Sequence, residues 1–161
     1  MPHDGDAFGA VDTSIVVDES FPADFRWVRR WVQRTIDALS ELGLPQDDLS
    51  SVEIVLAEAL NNVVEHAYPK DKAGDMRLVV RRRANSLMVE ISDSGRAMPK
   101  GRAPLGNHPM TEFDQHDAMP EGGYGWFLIR EIVRDLVYDR RDDQNLLLFR
   151  IKLSASSESD A

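Results

Sequence analysis

The stretch LAEALNNVVEHAY, Leu56–Tyr68, decides how the rest of the sequence is interpreted. Hydrophobic residues recur in and before it at intervals of three and four, which predicts an amphipathic helix that stops before Pro69. Glu58, Asn62 and His66 are spaced four apart, so they form a polar stripe along one flank of the hydrophobic face. A solvated flank explains such a stripe as well as the wall of a ligand site does, and the segment alone favours the solvated flank.

Strand-like and helix-like segments surround this helix. DTSIVVDES, from Asp12, is rich in β-branched residues and predicts a first strand, and the periodic segment from Pro22 to Leu44 predicts a helix. DMRLVVRRRANSLMVEISDSG, from Asp75, predicts two strands joined by a tight turn at Ala84–Ser86. Its basic part, Arg77–Arg83, is interpreted as a solvated edge strand in which arginine opposes aggregation.

The remaining segments define the fold class and the domain bounds. A long polar segment rich in Pro and Gly, about 96–122, predicts a functional lid, followed by a helix and then by two strands joined by an acidic turn. Strands and helices are grouped rather than alternating, which predicts an α+β fold: a two-layer sandwich in which helices cover one face of a mixed, mostly antiparallel sheet. We expect one domain over 11–153, a disordered lead-in over 1–10 and a disordered tail over 154–161.

Composition excludes several classes of function. The sequence of 161 residues contains no cysteine, which removes disulfides, thiolate catalysis and cysteine-bound zinc. Its net charge of −9 is the wrong sign for a broad nucleic-acid surface, so no direct contact with nucleic acid is expected. Hydrophobic runs are too short to span a membrane, and the first residues lack the pattern of a secretory signal. We therefore expect a cytoplasmic protein.

A second motif with chemical potential lies in LMVEISDSGRAMP, where a predicted strand ends at Asp93. A carboxylate at a strand end accepts hydrogen bonds from the amine of a bound base, and Gly95 permits a ligand to approach the backbone. A plain Asp-Ser-Gly turn explains the same residues. Alone, this motif is a weak indication of a site.

The third motif, EGGYGWFLI, places Gly122, Gly123 and Gly125 directly before a predicted helix. The free N–H groups and the dipole at a helix N-terminus attract anions such as phosphate. A flexible loop before a helix is the alternative. The motif is not a Walker loop, because no Gly-Lys-Ser/Thr follows, and it does not follow a strand in the manner of a dinucleotide-binding fold.

In this order the three motifs resemble the ATP-binding domain of the GHKL superfamily of ATPases. EALNN is similar to the N box, DSGRAMP to the first glycine box and GGYGWFLI to the second. Within that superfamily, AEALNNVVEHAY and GGYGWFLIREIVRDLVYD resemble the anti-sigma factor serine/threonine kinases, the switch-protein kinases of bacterial partner-switching systems. The resemblance extends from about Val11 to Leu153 and implies a Bergerat-type ATP-binding fold.

The resemblance assigns roles to the polar stripe of the helix. Asn62 matches the asparagine that holds Mg²⁺ against the ATP phosphates. Glu58 matches the catalytic glutamate one turn earlier, which polarises the attacking hydroxyl group or water. His66 lies at the end of the N box, where a basic residue is usual. The helix would then form the metal-binding and catalytic wall of a nucleotide pocket, while its hydrophobic face packs on the sheet.

The two glycine motifs receive roles in the same way. Asp93 matches the aspartate that binds the adenine amine, Gly95 lies beside the base, and Gly123 and Gly125 match the glycines that bring backbone N–H groups to the phosphates. One position departs from the pattern, because the last glycine of Asp-x-Gly-x-Gly is Ala97 here. The added methyl group is compatible with the site if the backbone there keeps a negative φ.

The resemblance implies an ATP- and Mg²⁺-dependent kinase. Its substrate would be a serine or threonine of a STAS-domain anti-sigma factor antagonist, its second partner a sigma factor, and its oligomeric state a homodimer. The alternative is an anti-sigma or adaptor module that binds ATP without phosphotransfer, and Ala97 gives this alternative some weight. The catalytic domain of a histidine kinase is disfavoured, since the N-terminal helix carries no phosphoacceptor histidine.

Overall fold

The structure is a computed structural model that describes residues 13–70, 72–104 and 124–154. Its elements follow the predicted order of strand, two helices, two strands, helix and two strands. They are β1 (Thr13–Pro22), α1 (Phe25–Glu41), α2 (Gln46–His66), β2 (Asp75–Arg83), β3 (Ser86–Asp93), a short 3₁₀ helix (Pro99–Gly101), α3 (Tyr124–Ile132), β4 (Arg134–Arg141) and β5 (Gln144–Lys152).

The five strands form one sheet in the order β1-β2-β3-β5-β4, and every neighbouring pair in the described part is antiparallel. The helices lie against this sheet with α2 in the middle, packed on α1 at one side and on α3 at the other. The predicted two-layer α+β sandwich is therefore confirmed.

The core lies between the helices and one face of the sheet. Strand β5 shows why, since its alternating residues Leu147, Phe149 and Ile151 are all buried while the residues between them are half-buried. On α2 the predicted hydrophobic positions are buried as well: Val52, Val55, Leu56, Ala59, Leu60 and Val63. Burial of this continuous face fixes the rotation of α2 and thereby directs its polar flank away from the sheet.

The interpretation of Arg77–Arg83 as an edge strand is wrong, because β2 lies between β1 and β3. Arg77 and Arg81 lie on the open face of the sheet, where neighbouring strands supply acidic partners, whereas Arg82 points to the helix side and donates to the carbonyl oxygen of Leu42. Arg77 binds Asp18 of β1 at 2.8 Å, and Arg81 binds Glu90 of β3 at 3.1 Å. An inner strand with one solvated face alternates in the same way as an edge strand, so the sequence pattern does not distinguish the two.

Several predicted segments lie outside the described residues: the lead-in over 1–10, most of the lid, Gly123, and the tail after Ser154. Ser154 itself is described, and it donates hydrogen bonds from its N–H and hydroxyl groups to the buried carboxylate of Asp48. Among the helices that the structure describes, none combines the length and the hydrophobicity needed to cross a bilayer.

Candidate functional site

A cavity of about 560 Å³ lies between the C-terminal part of α2, the segment that follows β3, and α3. All three sequence motifs contribute to its surroundings, so the fold brings together segments that are far apart in the chain. The residues that line it are Asn62, Val63, Glu65, His66, Ala67, Asp93, Arg96, Ala97, Met98, Pro99, Pro104, Trp126 and Asn145.

Helix α2 contributes Asn62 and His66 to the cavity wall. The amide nitrogen of Asn62 is buried and has no hydrogen-bond partner among the described residues. Because a buried polar group without a partner costs free energy, this amide is a feature that a polar ligand would stabilise. His66 is exposed, and its Nε2 lies 3.4 Å from the carboxylate of Glu65, a cavity residue that the sequence analysis did not select.

Glu58 lies one helical turn before Asn62 and is half-buried, but it is outside the set of residues that line the cavity. Its carboxylate lies against Gly125 in the first turn of α3, where an added Cβ would overlap Oε2 of Glu58. The fold therefore brings the predicted catalytic carboxylate to the start of the glycine-preceded helix. Gly125 is the residue that permits this approach, and the contact pairs the first and third motifs directly.

Asp93 is the buried carboxylate of the site, with 8% of its surface exposed. Its Oδ1 accepts hydrogen bonds from the N–H of Gly95 at 2.8 Å and from the amide nitrogen of Asn145 at 2.9 Å. Burial raises the pKa of Asp93, while these two hydrogen bonds and the positive charge of Arg140 oppose the rise. Both of these donors use Oδ1, and no described residue donates to Oδ2, which is therefore the oxygen that could accept a hydrogen bond from a ligand.

Gly95 packs against the end of α2. A Cβ at this position would overlap the carbonyl oxygen of Ala67, and the N–H of Arg96 donates to that same oxygen at 2.6 Å. Close contact between two backbone segments therefore explains this glycine without a ligand. Its predicted position beside a base stays a prediction, since Gly95 is not among the residues that line the cavity.

Ala97, the departure from the first glycine motif, lines the cavity. Positive φ values at described non-glycine residues occur elsewhere, at Ala84, Asp135, Asp142 and Asp143. The backbone at Ala97 thus meets the condition of a negative φ, and its methyl group fits without strain.

The sequence analysis missed Trp126, Arg96 and Asn145. Trp126, in the first turns of α3, is 6% exposed and supplies an aromatic surface to the cavity. Asn145, at the start of β5, is 5% exposed and donates to Asp93 and to the carbonyl oxygen of Arg96. One sequence signal marks Asn145: it occupies an inward position of a strand whose other inward residues are hydrophobic.

The polar groups of the cavity suit a metal ion that is bound together with a nucleotide better than a metal ion held by protein ligands alone. Among the described residues, His, Cys, Asp and Glu form no group of three that could hold a metal ion. Mg²⁺ commonly binds through one or two protein oxygens together with substrate phosphates and water, so a single amide oxygen, that of Asn62, is a sufficient protein ligand.

A second cavity, of about 300 Å³, lies on the open face of the sheet. Its charged residues are already paired within the protein, as in Arg77 with Asp18 and Arg141 with Asp139, each at 2.8 Å. Charges that satisfy one another leave little free bonding capacity for a ligand. The cavity beside α2 is therefore the candidate site.

Comparison with known proteins identifies the family of the chain. The sequence profile of the histidine kinase-like ATPase domain matches residues 21–151. The chain is 30% identical over 132 residues to "Serine-protein kinase RsbW" of Halalkalibacterium halodurans, which covers 80% of this chain and 78% of the relative. It is 25% identical over 123 residues to the protein of the same name from Bacillus cereus, with 75% of each chain covered.

The family match includes α2, the Asp93 segment and α3, which are the three elements around the cavity. The resemblance inferred from the three motifs is thereby confirmed, together with the ATPase fold that it implied. The chain belongs to the family of histidine kinase-like ATPase domains.

Proposed function

We propose that this protein is an ATP-dependent serine/threonine protein kinase and anti-sigma factor of a bacterial partner-switching system. The observation that carries the proposal is one cavity lined by the unpartnered amide of Asn62 and the buried carboxylate of Asp93. The unpartnered amide nitrogen of Asn62, a donor, suits the phosphate oxygens of ATP, and the carboxylate of Asp93 suits the amine of its base. The names of the relatives, serine-protein kinases, support the same chemistry.

At the base end, the exocyclic amine of adenine would donate to Oδ2 of Asp93, because Oδ1 already accepts two protein hydrogen bonds. Hydrophobic residues of the cavity wall, Met98 and Trp126, supply surface for the purine ring. This end of the cavity is therefore suited to an aminopurine.

At the phosphate end, Asn62 would bind Mg²⁺ through its amide oxygen, and the metal would neutralise charge on the phosphates. Gly125 lies in the first turn of α3, where free N–H groups favour anions. His66 adds a polar ring at the same end of α2. Gly123, which precedes the described part of α3, is assigned to the phosphates by the motif alone.

The proposed reaction transfers the γ-phosphoryl group of ATP to a serine or threonine hydroxyl. The bond between the γ-phosphorus and the β–γ bridging oxygen breaks, a bond from that phosphorus to the hydroxyl oxygen forms, and ADP leaves. Glu58 accepts the hydroxyl proton. The segment about 96–122, as a lid, would exclude water and so favour transfer over hydrolysis.

The partners follow from the same family resemblance. The phosphoacceptor would be a STAS-domain anti-sigma factor antagonist. Phosphorylation would add negative charge to the antagonist and so release the antagonist from the kinase. The protein would bind a sigma factor when the antagonist is absent. We propose that it acts as a homodimer in the cytoplasm, without direct contact with nucleic acid or membrane.

The first test is thermal unfolding with and without Mg-ATP. Binding to the folded state adds about 2.7 kcal/mol at a ligand concentration of one hundred times Kd, which raises the Tm by about 5–10 °C for a domain of this size. Asn62→Ala should abolish the Mg²⁺-dependent part of the rise. Asn61→Ala, one position away on α2 and outside the cavity lining, is the matched control and should keep it. No rise in the wild-type protein would refute ATP binding.

The second test addresses phosphotransfer to a STAS-domain antagonist with labelled ATP. Glu58→Gln should retain the ATP-dependent rise in Tm and lose transfer by at least about a hundredfold, the usual size of a general-base contribution. Glu53→Gln, an exposed glutamate on the same helix, is the control for loss of charge. Full transfer by Glu58→Gln would remove Glu58 from the reaction.

A second candidate function is ATP binding without phosphotransfer, as an anti-sigma or adaptor module. One observation favours it: Glu58 lies against Gly125 and not in the cavity wall. ATP-dependent stabilisation without transfer to any serine or threonine of the antagonist would support this candidate over the kinase.

A further inference from the structure

Asn145 is the cross-strand partner of Asp93 in the antiparallel pair of β3 and β5. Its amide nitrogen lies 2.9 Å from Oδ1 of Asp93 and 2.7 Å from the carbonyl oxygen of Arg96. Its amide oxygen accepts from the hydroxyl of Tyr138 at 2.5 Å and from the guanidinium of Arg140 at 2.8 Å. One buried side chain therefore connects the carboxylate, the segment that follows it, and strand β4.

The orientation of this amide is determined by its neighbours. The carboxylate of Asp93 and the carbonyl of Arg96 can only accept hydrogen bonds, and the guanidinium of Arg140 can only donate one. If the amide were turned by 180°, its oxygen would face the two acceptors, Asp93 and Arg96, and its nitrogen would face the donor, Arg140. Both N–H groups and both acceptor positions of the Asn145 amide are occupied by these four protein partners. Asn145 therefore acts on a ligand through Asp93 and not directly.

The same network fixes the segment that follows Asp93. Arg140 donates to the carbonyl oxygen of Gly95 at 3.0 Å, and the N–H of Met98 donates to the hydroxyl of Tyr138 at 3.0 Å. The segment that forms one side of the cavity is therefore held by two side chains of β4, and Asn145 joins them to Asp93.

We propose that Asn145 is a positioning residue for the nucleotide base: it occupies Oδ1 of Asp93, leaves Oδ2 as the acceptor for a ligand amine, and holds the segment from Gly95 to Met98 in place. This inference rests on the proposed function, because the ligand is the aminopurine assigned above. It adds a specificity-determining element from β5, outside all three sequence motifs.

Asn145→Asp tests the proposal because it replaces the donor by a carboxyl group at hydrogen-bond distance from Asp93. Two carboxylates this close cannot both be ionised at low cost. At low pH a shared proton restores a donor to Oδ1 of Asp93, and at higher pH the two charges repel and displace Asp93. The other titratable or charged groups around the pair are Arg140 and Tyr138 of β4, His66 and Tyr68 at the end of α2, Asp75 of β2, and Arg96.

The measurement is the ratio of the Kd for Mg-ATP of Asn145→Asp to that of the wild type, by calorimetry from about pH 5 to 8. We expect a ratio within about threefold at the acid end and above about tenfold at the alkaline end, the loss of one hydrogen bond to a charged group. Gln144→Asp, the exposed neighbour on β5, is the charge-matched control and should give a constant ratio. A constant ratio for Asn145→Asp overturns the proposal.

A readout without nucleotide separates this proposal from the proposed function. Amide exchange of Gly95 and Met98 in the free protein should be faster in Asn145→Asp than in the wild type at the alkaline end. The amide of Leu153, bonded to Asn85 at the far end of β5, should be unchanged. Faster exchange in Asn145→Asp, together with a wild-type protein that does not bind ATP, supports the positioning role and refutes the proposed function. Unchanged exchange at Gly95 and Met98 overturns the positioning role.

Tyr138→Phe is the second variant, for the case in which Asn145→Asp fails to fold. It keeps the aromatic ring and removes the hydroxyl that joins Asn145 to Met98. We expect a Kd for Mg-ATP about three- to tenfold weaker, from one neutral hydrogen bond, and faster exchange at Met98. Wild-type affinity together with wild-type exchange would overturn the proposal.

Discussion

The carboxylate of Asp93 is expected to oppose the stability of the free protein while it supports ATP binding, and Asp93→Asn separates the two effects. Asparagine has the same shape, and its amide oxygen can keep the hydrogen bonds from Gly95 and Asn145 that Oδ1 now accepts. The amide nitrogen then replaces Oδ2. A ligand amine that approaches this position meets a donor instead of an acceptor.

The magnitude for binding follows from the number of bonds lost. One hydrogen bond between the base amine and an ionised carboxylate disappears, which is worth about 1.5–3 kcal/mol. Since about 1.4 kcal/mol corresponds to a factor of ten, we expect the Kd for Mg-ATP to rise about ten- to a hundredfold. We expect the upper half of this range, because in Asp93→Asn two N–H donors, the ligand amine and the new amide nitrogen, would face each other.

Asp93→Asn is expected to weaken ATP binding but to increase the stability of the free protein relative to the wild type. Because burial raises the pKa of Asp93, the folded protein binds the proton more tightly than the unfolded chain does. Stability is therefore lost as pH rises from the ordinary pKa of aspartate through the raised pKa of the folded state, and the loss is complete above it. Asp93→Asn has no such proton to lose, so its Tm relative to the wild type should increase with pH over this acidic window and then stay level.

The assay is thermal unfolding of both proteins at several pH values, with and without Mg-ATP. Asp142→Asn is the matched control, because it removes one charge from an exposed turn whose φ of 50° asparagine tolerates. The reasoning is refuted if Asp93→Asn binds Mg-ATP as tightly as the wild type. A Tm difference that falls with rising pH would refute the assignment of burial as the dominant cause of the pKa shift.

Two further predictions concern side chains that do not line the cavity, those of Arg130 and Asp48. Arg130 of α3 donates to the carbonyl oxygens of Ala103 and Pro104 at 2.9 and 2.8 Å, so Arg130→Met should loosen this segment and weaken Mg-ATP binding about three- to tenfold, since Pro104 lines the cavity. Calorimetry checks this, and an unchanged Kd would contradict it. Asp48→Ala removes the acceptor for Ser154 and should lower the unfolding free energy by about 1–3 kcal/mol in urea without changing the Kd. An unchanged denaturation midpoint would show that this contact does not stabilise the fold.

The helices were predictable where hydrophobic periodicity was strong, and α2 is the clearest case. Individual residues of α1 were less so. Phe25 continues the hydrophobic spacing of the segment from Pro22 to Leu44 but is 51% exposed, while Thr35 is fully buried. The hydroxyl of Thr35 donates to the carbonyl oxygen of Trp31, one turn earlier, at 2.7 Å. A threonine that satisfies its hydroxyl within its own helix can enter the core, and periodicity of hydrophobic residues alone does not reveal this.

In the candidate site, the first two motifs predicted polar residues, because helix spacing and strand ends are local properties of the chain. Asn62, His66 and Asp93 do line one cavity. The contact between Glu58 and Gly125 was not predictable, since it depends on how α2 packs on α3. The glycine of the first motif illustrates the same limit: Gly95 is required by the backbone of α2, a contact that the motif itself does not contain.

Asn145 shows which information the sequence lacked. Alternation along β5 places Asn145 on the same face as Leu147, Phe149 and Ile151, so its inward direction follows from the sequence. The identity of its partner does not, because about 50 residues, including α3 and β4, separate β5 from β3 in the chain. Only the order β3-β5-β4 makes Asp93 and Asn145 opposite each other, and a shift of one residue in that register would direct Asn145 to the open face. Strand order is thus the one piece of tertiary information that converts an inward asparagine into a candidate for base recognition.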